Sequence, residues 1–277
     1  MRSLVASLII VASGLGCSTA TQRVPVTPEP MNPGVDLLEI GGLYNVTLIR
    51  GERPILVDTG PEGSFDDVAA ALRAAGVDPN ELAIVVLTHA HSDYAGNARA
   101  FQELGVPVLV HEGDAGMLRA GDHGALFATN LEAVLVQLFV PSTFPALEPE
   151  LVMAGDAPFD LRAYGVAGQV MHAGGHTPGS LIVHLENGVV VLGDLVRSGW
   201  LAGLVDAGTP ATHLYHQHPV EEGTAAAEGF TRDIAACADI RVAYVGHGPP
   251  IAGDALRAWA SDAPAGRCPW AVPDRAR

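Results

Sequence analysis

Thr88-His89-Ala90-His91-Ser92-Asp93-Tyr94-Ala95-Gly96-Asn97 follows the apolar run Ile84 to Leu87 and leads into helical spacing from Ala95 to Leu104. A buried strand, a histidine-rich turn and a helix make a strand-end loop, where side chains converge. In extended backbone two residues at i and i+2 point the same way, so His89 and His91 can reach one ion. Neutral imidazole suits zinc, and Asp93 adds a carboxylate. The bland alternative is a polar loop carrying surface histidines.

Four further places have the same character. Val57-Asp58-Thr59-Gly60 ends an apolar run with a carboxylate and a turn. Gly175-His176-Thr177-Pro178-Gly179-Ser180 sets a histidine before the strand expected at Leu181 to Leu185. Gly193-Asp194 follows Val189 to Leu192, and Gly246-His247-Gly248-Pro249 follows Val242 to Val245. An ionisable residue at a strand end, flanked by glycine, is what a metal site on a sheet edge requires. Around these places strands and helices alternate. Strands are expected at Leu37 to Ile40, Tyr44 to Arg50, Pro54 to Val57, Val106 to Val110 and Gln169 to Met171. Helices are expected at Ser64 to Ala75, Ala225 to Ala236 and Asp254 to Ala260. Two strand-rich halves with flanking helices predict a layered α/β sandwich.

Over Val35 to Ile251 the order and approximate spacing of the five motifs resemble the metallo-β-lactamase superfamily. The resemblance implies a four-layer αβ/βα sandwich with its metal site at the sheet edge. It implies His89, His91 and His176 as ligands of a first metal, Asp93 and His247 as ligands of a second, and Asp194 as a bridge. Asp58 would be a supporting carboxylate that orients the site. The family pattern His-x-His-x-Asp-His ends here in Tyr94, so the second position lacks a neutral nitrogen. Three arrangements stay open. Tyr94 binds as a phenolate, for which its pKa of about 10 must be lowered; or the second site holds metal weakly through Asp93, Asp194, His247 and water; or one tightly held zinc works alone. The reaction implied is hydrolysis of an ester, lactone, thioester or β-lactam-type amide by metal-activated water, with Asp93 accepting or relaying a proton. A mononuclear iron sulfur dioxygenase of the same fold and a catalytically weak tethered binding protein are the alternatives.

Charge narrows the substrate. Of 277 residues, 31 are acidic and 15 basic, all of the latter arginine, for a formal charge of −16. Such a chain has no broad basic face for nucleic acid. Relatives acting on glutathione thioesters use basic residues, including lysine, to hold the glutathione carboxylates, and lysine is absent here. A small-molecule substrate is expected; the oligomeric state is not encoded.

Residues 1–16 read as a signal peptide, with Arg2 before the apolar run Leu4 to Leu15. Cys17 stands where a lipoprotein would be lipidated, which predicts export to the periplasm or cell envelope, with ordinary cleavage as the alternative. Residues 17–33, rich in Thr and Pro, read as a flexible tether, and 34–277 as the domain. Cys237 and Cys268 are a candidate disulfide or two free thiols. His213, His216 and His218 lie where a substrate-covering loop is expected; they read as exposed loop histidines, or one of them replaces the ligand lost at Tyr94 or contacts substrate. His111, His123, His172 and His184 read as structural or surface, and Trp200 with Leu201 and Leu204 as a pocket wall or core.

Overall fold

The computed structural model describes residues 20–24, 34–137, 140–199, 208–262, 264 and 266–270. Residues 1–19, Trp200, Leu201 and Leu204 lie outside them. Down the chain come β1 (Ala20–Val24), β2 (Val35–Ile40), β3 (Tyr44–Ile49), β4 (Ile55–Val57), α1 (Phe65–Ala74), β5 (Ile84–Val86), α2 (Ser92–Ala95) and α3 (Ala98–Glu103). Next are β6 (Val108–His111), α4 (Glu112–Ala120), β7 (Phe127–Ala128), α5 (Leu131–Val136), β8 (Leu151–Met153), β9 (Phe159–Asp160) and β10 (Gly168–His172). The chain continues through β11 (Leu181–Leu185), β12 (Val189–Val191), β13 (Tyr215–His216), α6 (Val220–Ala235), β14 (Val242–Tyr244), β15 (Ile251–Ala252) and α7 (Gly253–Ala260).

One sheet runs β1-β2-β3-β4-β5-β6-β8, the other β15-β14-β12-β11-β10-β9, and β7 pairs with β13. Successive strand residues face opposite sides, and the cores follow that alternation. Val85 and Leu87 pack outward with Val68 and Leu72 of α1, Phe101 of α3 and Leu118 of α4. Ile84 and Val86 pack inward against Val183, Val189 and Val191 of the second sheet. Val190 and Ile182 face Ala227 and Ile234 of α6 and Leu256 of α7. Three apolar cores between four layers are the αβ/βα sandwich. Their near-complete burial explains why these strands read as continuous valine and isoleucine runs.

Within the expected tether, Ala20–Val24 is a strand that pairs antiparallel with β2, extending the first sheet. The run Ala95 to Leu104, expected as one helix, is broken at Gly96-Asn97 into α2 and α3. A Cβ on Gly96 would lie 2.5 Å from the Pro61 carbonyl carbon, so this turn needs glycine against the β4 loop. Cys237 and Cys268 form a disulfide, tying the segment after α7 to the end of α6.

Both sheets end at one edge. β4, β5 and β6 are parallel, as are β12 and β14, and their C-terminal ends carry Asp58, the Thr88 loop, Asp194 and His247. Hydrogen bonds stitch the sheets there: Leu181 N–H donates to the Thr88 carbonyl at 2.6 Å, and Asn45 N–H to that of Gly246 at 3.0 Å.

Candidate metal centre

His89 is aimed from beneath. Asp58 ends β4 with φ +66°, a left-handed backbone that aspartate tolerates better than most residues. It accepts Thr88 N–H at 2.8 Å and Thr88 Oγ1–H at 2.9 Å. With its proton given to Asp58, Thr88 Oγ1 can only accept from His89 Nδ1, 3.0 Å away. That fixes the tautomer and leaves the lone pair of His89 on Nε2, facing the site. Asp58 thus orients His89 through Thr88, not by touching it.

His91 and His176 meet edge to edge, Nδ1 to Nε2 at 3.0 Å. Both rings are buried, and His91 Nε2, His176 Nδ1 and His89 Nε2 have no hydrogen-bond partner. Burial brings His89 to a pKa of about 4 and holds His91 and His176 well below an ordinary imidazole. Three neutral imidazoles therefore converge, with one ligand atom from each within 4.8 Å of the others.

The second cluster is Asp93, Asp194 and His247. His247 Nδ1 donates to the Leu43 carbonyl at 2.8 Å, which turns Nε2 inward. Asn45 braces that loop by donating to the carbonyls of Val245 at 2.8 Å and Gly248 at 2.7 Å. Asp194 Oδ2 is ringed by Nε2 of His213 at 3.1 Å, His89 at 3.7 Å, His247 at 3.7 Å and His176 at 3.8 Å. Burial opposes the charge of Asp194, but His213, His247 and His89 hold its carboxyl well below the usual carboxylate range. Its Oδ2 has no hydrogen-bond partner.

These residues fit a divalent metal. A buried acceptor facing the buried, unpartnered Nε2 atoms of His89 and His213 is costly unless a cation lies between them. Donors of one tetrahedral zinc, at about 2.0–2.1 Å from the ion, are spaced about 3.3 Å apart, close to the His91–His176 separation. Tyr94 is placed otherwise. Its hydroxyl donates to Asp194 Oδ1 at 2.8 Å, and burial with the nearby Asp194 and Asp93 charges pushes its pKa well above 10. It is a neutral hydrogen-bond donor beside the centre. Gly246 makes room for it, since a Cβ there would overlap Tyr94 Oη and Asp194 Oδ1.

The metallo-β-lactamase superfamily model matches residues 40–199, more than half of the chain. The chain belongs to the metallo-β-lactamase superfamily. Relatives include metallo-β-lactamase domain-containing protein 1 of Xenopus laevis, 41% identical over 24% of this chain and 28% of its own. A probable metallo-hydrolase of Methanocaldococcus jannaschii is 25% identical over 55% of this chain and 66% of its own, so the chain spans at most about two thirds of either. Among solved structures, a B3 metallo-β-lactamase with an active-site glutamic acid has a TM-score of 0.58 at 18% identity, covering 91% of this chain and 90% of that one. GOB-18 of Elizabethkingia meningoseptica has a TM-score of 0.57 at 16% identity, over 88% and 95%. At these identities the likeness shows the fold.

Within this member of the superfamily, the seven motif residues Asp58, His89, His91, Asp93, His176, Asp194 and His247 gather at one sheet edge, with Tyr94 against them. The reading of exposed loop histidines is corrected: His213 and His216 are buried, His213 on Asp194 and His216 with its ring 5.5 Å from that of His176. β13 carries His216 inward, and Gly223 of α6 makes the room, because a Cβ there would lie 2.8 Å from His216 Cβ. His218 stays half-buried, outside both clusters. His123 is structural, its ring nitrogens 3.0 and 3.1 Å from the Gly124 and Pro141 carbonyls, yet its ring also stands 4.9 Å from that of His91.

Asp114 was not legible as part of the site. Buried near the start of α4, it accepts Ala90 N–H at 3.0 Å, Thr177 Oγ1–H at 2.8 Å and Gly179 N–H at 2.7 Å. It ties the His89–His91 loop to the His176 loop. Backbones approach closely enough that a Cβ on Gly179 would lie 2.6 Å from Asp114 N. The only signal was an acidic residue in the first turn of a helix, which helix dipoles favour in any protein.

Proposed function

We propose that this chain is a zinc-dependent hydrolase that cleaves an ester, lactone, thioester or β-lactam-type amide. The observation that carries the proposal is the convergence of the His89, His91 and His176 imidazoles, two of which, His89 and His176, also face the unpartnered Oδ2 of Asp194. When bound, zinc supplies Lewis-acid polarisation of a carbonyl and water activated near neutral pH. The protein's own groups do the rest. Thr88, Leu43 and Asp114 hold the imidazoles and loops in place, so little reorganisation is needed at the reacting carbonyl. Asp93 is the one carboxylate of the site with appreciable exposure, 23% of its side chain, and its Oδ2 lies 3.6 Å from His247 Nε2. It is placed to take a proton from attacking water and return it to a leaving group. Tyr94 keeps Asp194 Oδ1 hydrogen-bonded, leaving Oδ2 for the centre.

The absence of lysine and the charge of −16 weigh against a glutathione thioester. The Cys237–Cys268 disulfide supports export to an oxidising compartment, in keeping with the signal-like segment before Cys17. Metal analysis of protein purified without added metal, followed by a panel of esters, lactones, thioesters and β-lactams, tests the proposal. Zinc in the protein and turnover abolished by chelator are the expected results. Iron with oxygen uptake on a persulfide would overturn the zinc hydrolase in favour of a dioxygenase, and failure to take up either metal would overturn metal chemistry altogether.

A further inference from the structure

His213 lies outside the five motifs, in the loop between β12 and β13. Its side chain is 4% exposed. Its Nδ1 faces the backbone of Tyr215, 3.1 Å from the carbonyl and 3.3 Å from the amide nitrogen. That leaves Nε2 as its free end, and Nε2 is buried with no hydrogen-bond partner. It points at Asp194 Oδ2 from 3.1 Å, but without the angle of a hydrogen bond. The ring stands edge-on to His176 with centroids 4.6 Å apart and near-parallel to His247 at 5.4 Å. One ligand atom each from His176, Asp194 and His213 fall within 4.8 Å of one another.

Two features explain why an extra imidazole belongs there. Tyr94 occupies the place where the superfamily pattern has a histidine, and its hydroxyl is committed to Asp194 Oδ1. The Asp93, Asp194 and His247 cluster is therefore one side chain short of a four-ligand site. Beside it on Asp194 is a buried imidazole whose Nε2 lies 3.1 Å from Oδ2, where it meets the carboxylate as an ion pair when the ring is protonated and can turn its lone pair to a cation when the ring is neutral. Neighbouring spacings of 3.1 Å (His213 to Asp194), 3.7 Å (His247 to Asp194) and 3.6 Å (His247 to Asp93) all lie near the separation of adjacent donors around one ion.

We propose that His213 is a metal ligand, completing with Asp93, Asp194 and His247 a second metal position in which the loop after β12 supplies the imidazole that Tyr94 does not. The proposal rests on metal binding at this centre and is independent of which bond is hydrolysed. It assigns the second position a ligand that none of the five motifs contains.

The full chain, stripped with chelator, is titrated with zinc and with cobalt(II). Ions per chain are counted by elemental analysis, and the cobalt visible bands report ligand number. Wild type is expected to hold two ions. His213→Ala and the better-sized His213→Gln are expected to keep the first and to weaken the second by about 100-fold or more, beyond the range usual for loss of a supporting contact. Tyr94→His combined with His213→Ala is expected to regain the second ion, because it restores the superfamily ligand. Two ions bound by His213→Gln at wild-type affinity, or a single ion in wild type, would overturn the proposal. A wild-type chain that takes up one ion and hydrolyses its substrate leaves the proposed function standing, whereas a chain that takes up none brings down both.

Discussion

Thr88 stands between a carboxylate and an imidazole, and its hydroxyl can serve both only in one direction. Because it donates to Asp58, it must accept from His89 Nδ1–H, and His89 then offers Nε2 to the centre. Thr88→Val keeps the shape and removes the relay. It is expected to lower metal affinity by about 10–100-fold, with Thr88→Ser close to wild type, as read by competition against a chromophoric chelator. Stability should fall by about 1–3 kcal/mol, since Asp58 loses a buried partner. Asp58 was legible in the sequence as a carboxylate at a strand end, and the intermediary was not. A threonine after an apolar run looks like the end of any strand, and only the backbone turn at φ +66° brings the Asp58 carboxylate beneath it.

At the level of elements, α4 acts as a clamp. Its first turn places Asp114 where three donors from two separate loops converge, Ala90 N–H from one and Thr177 Oγ1–H and Gly179 N–H from the other. Asp114→Ala leaves those donors unpartnered in a buried space. Chemical denaturation is expected to show a loss of about 2–3 kcal/mol, in the range for breaking a buried hydrogen-bond network. Metal affinity should fall with it, because His91 and His176 are carried on the two loops that Asp114 joins. A loss of stability with unchanged affinity would mean that the clamp holds the fold and not the ligands. The division of the expected helix at Gly96-Asn97 belongs to the same scale. The spacing of apolar residues from Ala95 to Leu104 is continuous, and the break arises from a backbone contact with the β4 loop that local periodicity does not record. Asn97 fills the gap, donating to the carbonyls of Thr59 at 2.7 Å and Pro61 at 2.9 Å.

For the whole molecule, two constraints add to the burial of the sandwich's apolar cores. The Cys237–Cys268 disulfide closes a loop of sequence separation 31, which restricts the unfolded chain by about 3–4 kcal/mol. Reduction is expected to lower the melting temperature by about 5–10 °C, measured by differential scanning calorimetry with and without reductant at fixed metal. The second constraint is the metal itself, which binds the folded state and not the dispersed ligands of the unfolded chain. Zinc at about 1,000 times its dissociation constant should stabilise by about 4 kcal/mol, and chelation should remove that increment. The sequence by itself determined the architecture and most of the candidate ligand set. Strands buried on both faces must be apolar runs, and the ionisable residues at their ends were visible either by the i, i+2 spacing of His89 and His91 or against nearby glycines, as at Asp58, His176, Asp194 and His247. What only the tertiary structure decided was partnership. Tyr94 donates a hydrogen bond to Asp194, His213 turns inward onto the same carboxylate, and Asp114 joins two loops, all through contacts spanning 19 to 100 residues of chain. The reason is physical: local spacing records which face of an element a residue occupies, whereas a buried polar group finds its partner only when packing brings distant segments within hydrogen-bond reach.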